Sequence, residues 1–134
     1  MIISRKVTIV KINKPAEKDL NKELQWLGHS LGLFNMRDKD KSCYRIFLEL
    51  LMSAKKREAL TSDEIAAKLN LTRGTVIHHI NKLMDAGLVV HQRNMYALRV
   101  EKLEMLIREL ERDLKRTLNN LREVAVDIDR WMGY

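Results

Sequence analysis

The sequence predicts a mainly α-helical α+β chain: a small helical domain with a β-hairpin, preceded by a strand-helix extension and followed by a long helix. Three observations carry this. Residues 61–87 read as two capped amphipathic helices around a tight turn, residues 88–99 alternate like paired strands, and an apolar heptad runs from Val100 to Trp131. With 134 residues, of which 46% are hydrophobic, there is room for one compact domain plus an extension.

Residues 2–12, IISRKVTIVKI, are rich in β-branched side chains and predict a strand. Asn13-Lys14-Pro15 breaks it, with Pro15 placed for the first turn of a helix. From Ala16 to Leu31, Leu20, Leu24, Leu27 and Leu31 recur every three or four residues and predict an amphipathic helix. Residues 32–40 follow as a polar connection, which closes an N-terminal part over 1–39.

The second part spans residues 40–99. Asp40 is a candidate N-cap for a helix through Ser53, with Tyr44, Phe47, Leu48, Leu51 and Met52 on its apolar face. Lys55-Lys56-Arg57 form a basic loop. Thr61 and Glu64 have the spacing of a capping box, in which each side chain satisfies the other residue's backbone N–H, opening a helix to Leu69. Asn70-Leu71 turns the chain, Thr72 caps the next helix, and Gly87 ends it where a left-handed residue is usual. Leu88–His91 and Met95–Arg99 predict a hairpin across Gln92-Arg93-Asn94.

Helix, capped helix, turn, helix and hairpin in that order make a winged helix-turn-helix. At 100° per residue, Val76, Ile80 and Leu83 share the side of the last helix that must face the core. Gly74, His78, Asn81, Lys82 and Asp85 lie opposite, with Thr75 and Ile77 flanking. This outward face is small, polar and basic, and its single acid, Asp85, stands at the far end. Such a face suits insertion of the helix into the major groove of double-stranded DNA. Gly74 costs about 1 kcal/mol of helix stability relative to alanine, a choice that close approach to DNA would explain.

The segment Leu71–Val89, LTRGTVIHHINKLMDAGLV, resembles the recognition-helix signature of ArsR-type winged-helix transcriptional regulators, roughly L-S-x-x-T-V-S-x-H-L-x-x-L-x-x-A-G-L-V. Thr75, Val76, His79, Leu83, Ala86, Gly87, Leu88 and Val89 are in register, with conservative replacements at Thr72 and Ile80. Ile77 departs from the pattern, standing where the family usually has serine. The resemblance implies DNA binding, with Arg73, Thr75, Ile77, His78 and Asn81 as candidates for base or phosphate contact and Gly74 and Lys82 beside them. Thr72 is first a helix cap, and phosphate would meet the N–H groups next to it. At Ile77 an apolar contact, for instance with a thymine methyl, would replace a serine hydrogen bond. Arg93 at the hairpin tip either reaches the minor groove or a phosphate or is an exposed loop charge. Lys55, Lys56 and Arg57 are either phosphate contacts or a solvated loop.

Charge distribution agrees with this division. The net charge is +7, and Lys+Arg against Asp+Glu count 8 to 4 over residues 1–39, 10 to 6 over 40–99, and 7 to 8 over 100–134. The basic excess therefore sits in the first two parts, and the last has another task. Many ArsR-type relatives bind metals through cysteine pairs, but Cys43 stands alone among expected core residues, and His78 and His79 point about 100° apart. No metal or cofactor is expected. Gly-rich phosphate loops, nucleophile elbows and His-Glu-x-x-His helices are absent from the sequence, so an enzyme is not expected either. No apolar run approaches the roughly 20 residues that cross a bilayer. Charges interrupt the first apolar stretch, unlike a signal peptide, and a single cysteine fits a reducing cytoplasm.

In residues 100–134, Val100, Ile107, Leu114, Leu121 and Ile128 fall at a positions of a heptad. Leu103, Leu110, Thr117, Val124 and Trp131 fall at d, so nine of ten seam positions are apolar. A stripe this long needs a partner, and a second copy of the chain is the simplest one. Glu104, Glu111, Asp113 and Asp127 flank the seam without a basic residue, which disfavours an isolated parallel zipper. A bundle with residues 16–31, where Lys18 and Lys22 could neutralise the acidic flank, is the favoured arrangement. The expectation is a homodimeric, sequence-specific DNA-binding regulator. The alternatives are a winged-helix protein-interaction module and a non-specific DNA-architectural protein.

Overall fold

The computed structural model describes residues 5–34, 37 and 39–134, and these divide into two compact units, the first ending at Glu101 and the second beginning at Lys102. The first contains α1 (Leu20–Ser30), α2 (Ser42–Lys55), β1 (Leu60–Thr61), α3 (Ser62–Leu69), α4 (Arg73–Asp85), β2 (Val89–Gln92) and β3 (Met95–Leu98). The second is one helix, α5 (Leu103–Trp131). The architecture is that of a mainly helical chain with a small antiparallel sheet and a long C-terminal helix, consistent with a winged helix.

The core of the first unit forms where α2, α3 and α4 turn their apolar faces to one another and to the sheet. Ile46, Phe47 and Leu50 of α2, Ile65 of α3, and Val76, Ile80 and Leu83 of α4 are all buried. Each such side chain contributes about 1.5–3 kcal/mol relative to exposure. The turn between α3 and α4 is fixed by three local devices. Asn70 takes the left-handed conformation (φ 55°), as a short polar side chain tolerates. The Arg45 guanidinium donates to the Leu69 carbonyl at 2.6 Å, satisfying an orphan acceptor at the end of α3. Lys68 pairs with Glu49 of α2 at 3.4 Å.

The sheet has the order β1-β3-β2. Val89 opposes Leu98 and His91 opposes Tyr96 in the hairpin, and Leu60 also opposes Tyr96 from the other side. The hairpin turns on Arg93 and Asn94, with Arg93 left-handed (φ 58°), one residue tighter than the three-residue connection expected. β1 was not anticipated at all.

Four expectations are corrected. Residues 5–15 form no strand: Lys6 N–H donates to the Asp85 carbonyl (3.1 Å) and Val10 N–H to the Ser30 carbonyl (2.8 Å), so the segment ties the ends of α4 and α1 instead of joining a sheet. Residues 2–4 of the expected strand lie outside the described residues. α1 starts at Leu20, not after Pro15, because Asp19 accepts from Asn21 N–H and provides the cap. Asp40 does not cap α2; the cap position is Lys41, left-handed at φ 54° and without a side-chain cap bond. The connection after α1 is not merely polar, since Leu31 and Leu33 are buried and the Phe34 ring lies 4.0 Å from His29 and 4.6 Å from Tyr44.

α5 is 29 residues long, about 44 Å at 1.5 Å per residue. Val100 precedes it. Leu106 and Leu110 are buried, and Leu106, which lies off the expected seam, is fully so. Leu118, Leu121, Val124, Ile128 and Trp131 are exposed. From Leu114 to Met132 every residue on an arc of about 140° is apolar except Thr117, a stripe wider than an a/d seam alone.

Candidate nucleic-acid interface

α4 is held at its N-terminus by Thr72. Its Oγ1 accepts from Thr75 N–H at 3.1 Å and lies 2.8 Å from Thr75 Oγ1, so the Thr75 hydroxyl is drawn into the cap. The capping box before α3 is complete: Thr61 Oγ1 accepts from Glu64 N–H (3.1 Å) and Glu64 Oε1 from Thr61 N–H (3.2 Å). Gly87, at φ +79°, ends the reach of α4 as its sequence position required. With both ends fixed and Val76, Ile80 and Leu83 buried, the remaining face has a defined direction.

That face consists of exposed Arg73, Gly74, His78, Asn81, Lys82 and Asp85, with Thr75 and Ile77 half-buried at its edges. Around Gly74 the space is open, and a Cβ there would meet nothing within 4 Å. His79 is buried, which makes it a packing residue. Arg73 Nε lies 3.8 Å from Asp63 Oδ1, both side chains exposed, a pair worth at most about 1 kcal/mol and easily exchanged for another anion. Gly74, Thr75, His78 and Lys82 line one wall of an open groove of about 730 Å3.

The other sequence candidates are distributed differently. Arg93 is exposed at the hairpin turn, behind which His91 stacks on Tyr96 with ring centroids 5.1 Å apart. Lys55 is the last residue of α2 and not part of a loop, and Lys56 and Arg57 follow it; the N-terminal residue of α2, Ser42, borders the groove. Fourteen helical residues place them about 20 Å from it. Arg57 also pairs with Glu101 at 3.1 Å. The structure therefore gathers the α4 candidates into one surface and leaves the Lys55–Arg57 cluster apart.

Arg37 and Lys39 escaped sequence reasoning. They border the same groove as Lys82, and no local pattern marks them, because only the fold brings them beside α4. Among the described residues no three His, Cys, Asp or Glu side chains are placed to hold a metal ion, and no helix is long and apolar enough to cross a membrane.

No curated protein and no solved structure matches the chain. Residues 40–92, from the start of α2 to the end of β2, match the family model of a helix-turn-helix domain, and α2, α3 and α4 are the helices of that domain.

Proposed function

We propose that this protein is a sequence-specific double-stranded DNA-binding transcriptional regulator of the ArsR type, acting in the cytoplasm as a homodimer on a pseudo-palindromic site. The observation that carries the reading is the exposed face of α4. Over its first three turns it presents Arg73, Gly74, His78, Asn81 and Lys82 without an acid, on a helix whose other face is locked in the core. A helix of this kind fits the major groove, where donors such as His78 and Asn81 meet base edges and Arg73 and Lys82 meet phosphate. Arg93 would extend the contact from the wing.

The exposed apolar arc of α5 supports the dimer. Leu121, Val124, Ile128 and Trp131 form its exposed stretch, continuing the stripe from Leu103, Ile107 and Leu114, while Leu110 is already buried within one chain. Two copies would set two α4 helices about 34–36 Å apart, on successive turns of the major groove. A change in the packing of the dimer would alter that spacing and so the affinity.

Selection from random duplexes tests the reading. A palindromic motif is the expected outcome, and His78→Ala or Asn81→Ala should each relax specificity at one position by about 1–3 kcal/mol. Sequence-blind binding would identify an architectural protein, and no duplex binding would leave a protein-interaction module.

A further inference from the structure

Arg37 and Lys39, in the α1–α2 connection, border the groove beside α4, and described residues before and after them are anchored. Leu33 N–H donates to the Gly28 carbonyl at 2.8 Å, and Phe34 stacks against His29 and Tyr44. At the other end the Lys41 ammonium lies 5.4 Å from the centre of the Phe34 ring. Between these anchors Arg37 and Lys39 line the groove, which Gly74, Thr75, His78, His79 and Lys82 of α4 also line. Among the described residues, three cations, Arg37, Lys39 and Lys82, border the groove together with the carboxylate of Asp40; Asp38, between Arg37 and Lys39 in sequence, lies outside the described residues. Residues 40–92 carry the family match, so Arg37 and Lys39 lie outside it and belong to this chain's own extension.

We propose that this groove is a phosphate-backbone cleft, in which Arg37 and Lys39 grip one strand of the duplex against Lys82 while α4 lies in the major groove. The inference rests on the DNA-binding reading above and adds to it a site for the sugar-phosphate backbone. The geometry follows from two widths. A helix with its side chains is about 10–12 Å across and the major groove is about 12 Å wide, so an inserted helix has a phosphate strand running along each flank. Thr75 and Lys82 lie on one flank of α4 and border the same groove as Arg37 and Lys39. On that flank a strand would pass beside all three cations. Anchoring by Phe34 and Lys41 lowers the ordering entropy that two long side chains on an untethered loop would lose on binding.

The test compares the 134-residue chain with Arg37→Gln/Lys39→Gln and with a control of equal charge loss, Lys11→Gln/Lys14→Gln, whose exposed side chains do not border the groove. Binding to a duplex recovered by selection is titrated between 50 and 200 mM salt, with circular dichroism as the check on folding. Loss of two phosphate contacts lowers the slope of log Kd against log salt by about 1.8, so the wild type should lose about tenfold more affinity than the groove variant over this range. The selected motif should stay the same, and the control should keep the wild-type slope. A groove variant with the control's slope, or one whose preferred motif changes, overturns the cleft while leaving the DNA-binding reading intact. A wild-type chain that binds no duplex overturns both.

Discussion

Gly28 of α1 lies directly against Tyr44 of α2: a Cβ on Gly28 would stand 2.7 Å from Tyr44 Cδ1 and 2.8 Å from Phe34 Cε2. Both neighbours are ring atoms, held by stacking and by burial of Tyr44, and cannot yield as the end of a flexible side chain would. In a helix interior alanine is worth about 1 kcal/mol over glycine, whereas overpacking costs about 1–3 kcal/mol. The clash outweighs the propensity gain. Gly28→Ala should therefore destabilise the chain by up to about 2 kcal/mol in urea unfolding, and a variant more stable than the wild type would show that α1 is not packed this closely.

Gly74 predicts the opposite sign from the same substitution. Its neighbourhood is empty, so alanine meets no clash and should raise stability by up to about 1 kcal/mol. The added methyl would project from the face proposed to enter DNA. Gly74→Ala should raise the thermal midpoint while weakening duplex binding, and the two measurements must move in opposite directions. If affinity is unchanged, Gly74 does not approach the nucleic acid.

These two glycines show what was legible in the sequence. The caps at Thr61 and Thr72, the left-handed Gly87 and the core stripe Val76–Ile80–Leu83 are signals contained within a few residues, and the structure has them as read. β1 escaped because two residues carry no periodicity, and its partners Met95 and Tyr96 lie 34 to 36 positions away. The β-branched N-terminal segment misled for a related reason: residues 5–12 join no sheet, and Lys6 and Val10 donate instead to carbonyls at helix ends, which alternation cannot reveal. Leu106 was missed because a strict heptad excludes its position, although its helix face is the one that becomes buried. In the candidate interface, α4 was legible from angular position alone. Arg37 and Lys39 were not, since more than 40 positions separate them from Lys82 and only the fold brings all three to one groove.

Tyr44 gives a prediction in alkaline solution. Burial raises its phenol above the ordinary value near 10, and its hydroxyl has no hydrogen-bond partner among the described residues. A folded-state value above the unfolded one means that the contribution is fully present below pH 10 and is lost as pH rises through the folded value. Tyr44→Phe removes both the titration and an unsatisfied buried hydroxyl. It should be at least as stable as the wild type at pH 7, by up to about 1 kcal/mol, and its advantage should grow above pH 10. An advantage that stays constant from pH 7 to 11 would place the phenolate in water.

The stripe on α5 provides the sharpest test of assembly. Leu121 is 61% and Ile128 53% exposed in a single chain, so charging them leaves nothing of the single chain's core disturbed. In a dimer each would lose about 1.5–3 kcal/mol of burial in both copies and place a carboxylate in an apolar seam. Leu121→Glu/Ile128→Glu should keep its helical circular dichroism while its mass in sedimentation falls from twice 15.7 kDa to 15.7 kDa. Affinity for a palindromic duplex should fall with it, because two half-sites are no longer held by one particle. Affinity for a single half-site should persist, since α4 and the groove beside it belong to the first unit. A wild-type chain that sediments as a monomer at micromolar concentration would remove the dimer and leave the exposed stripe without the partner assigned to it.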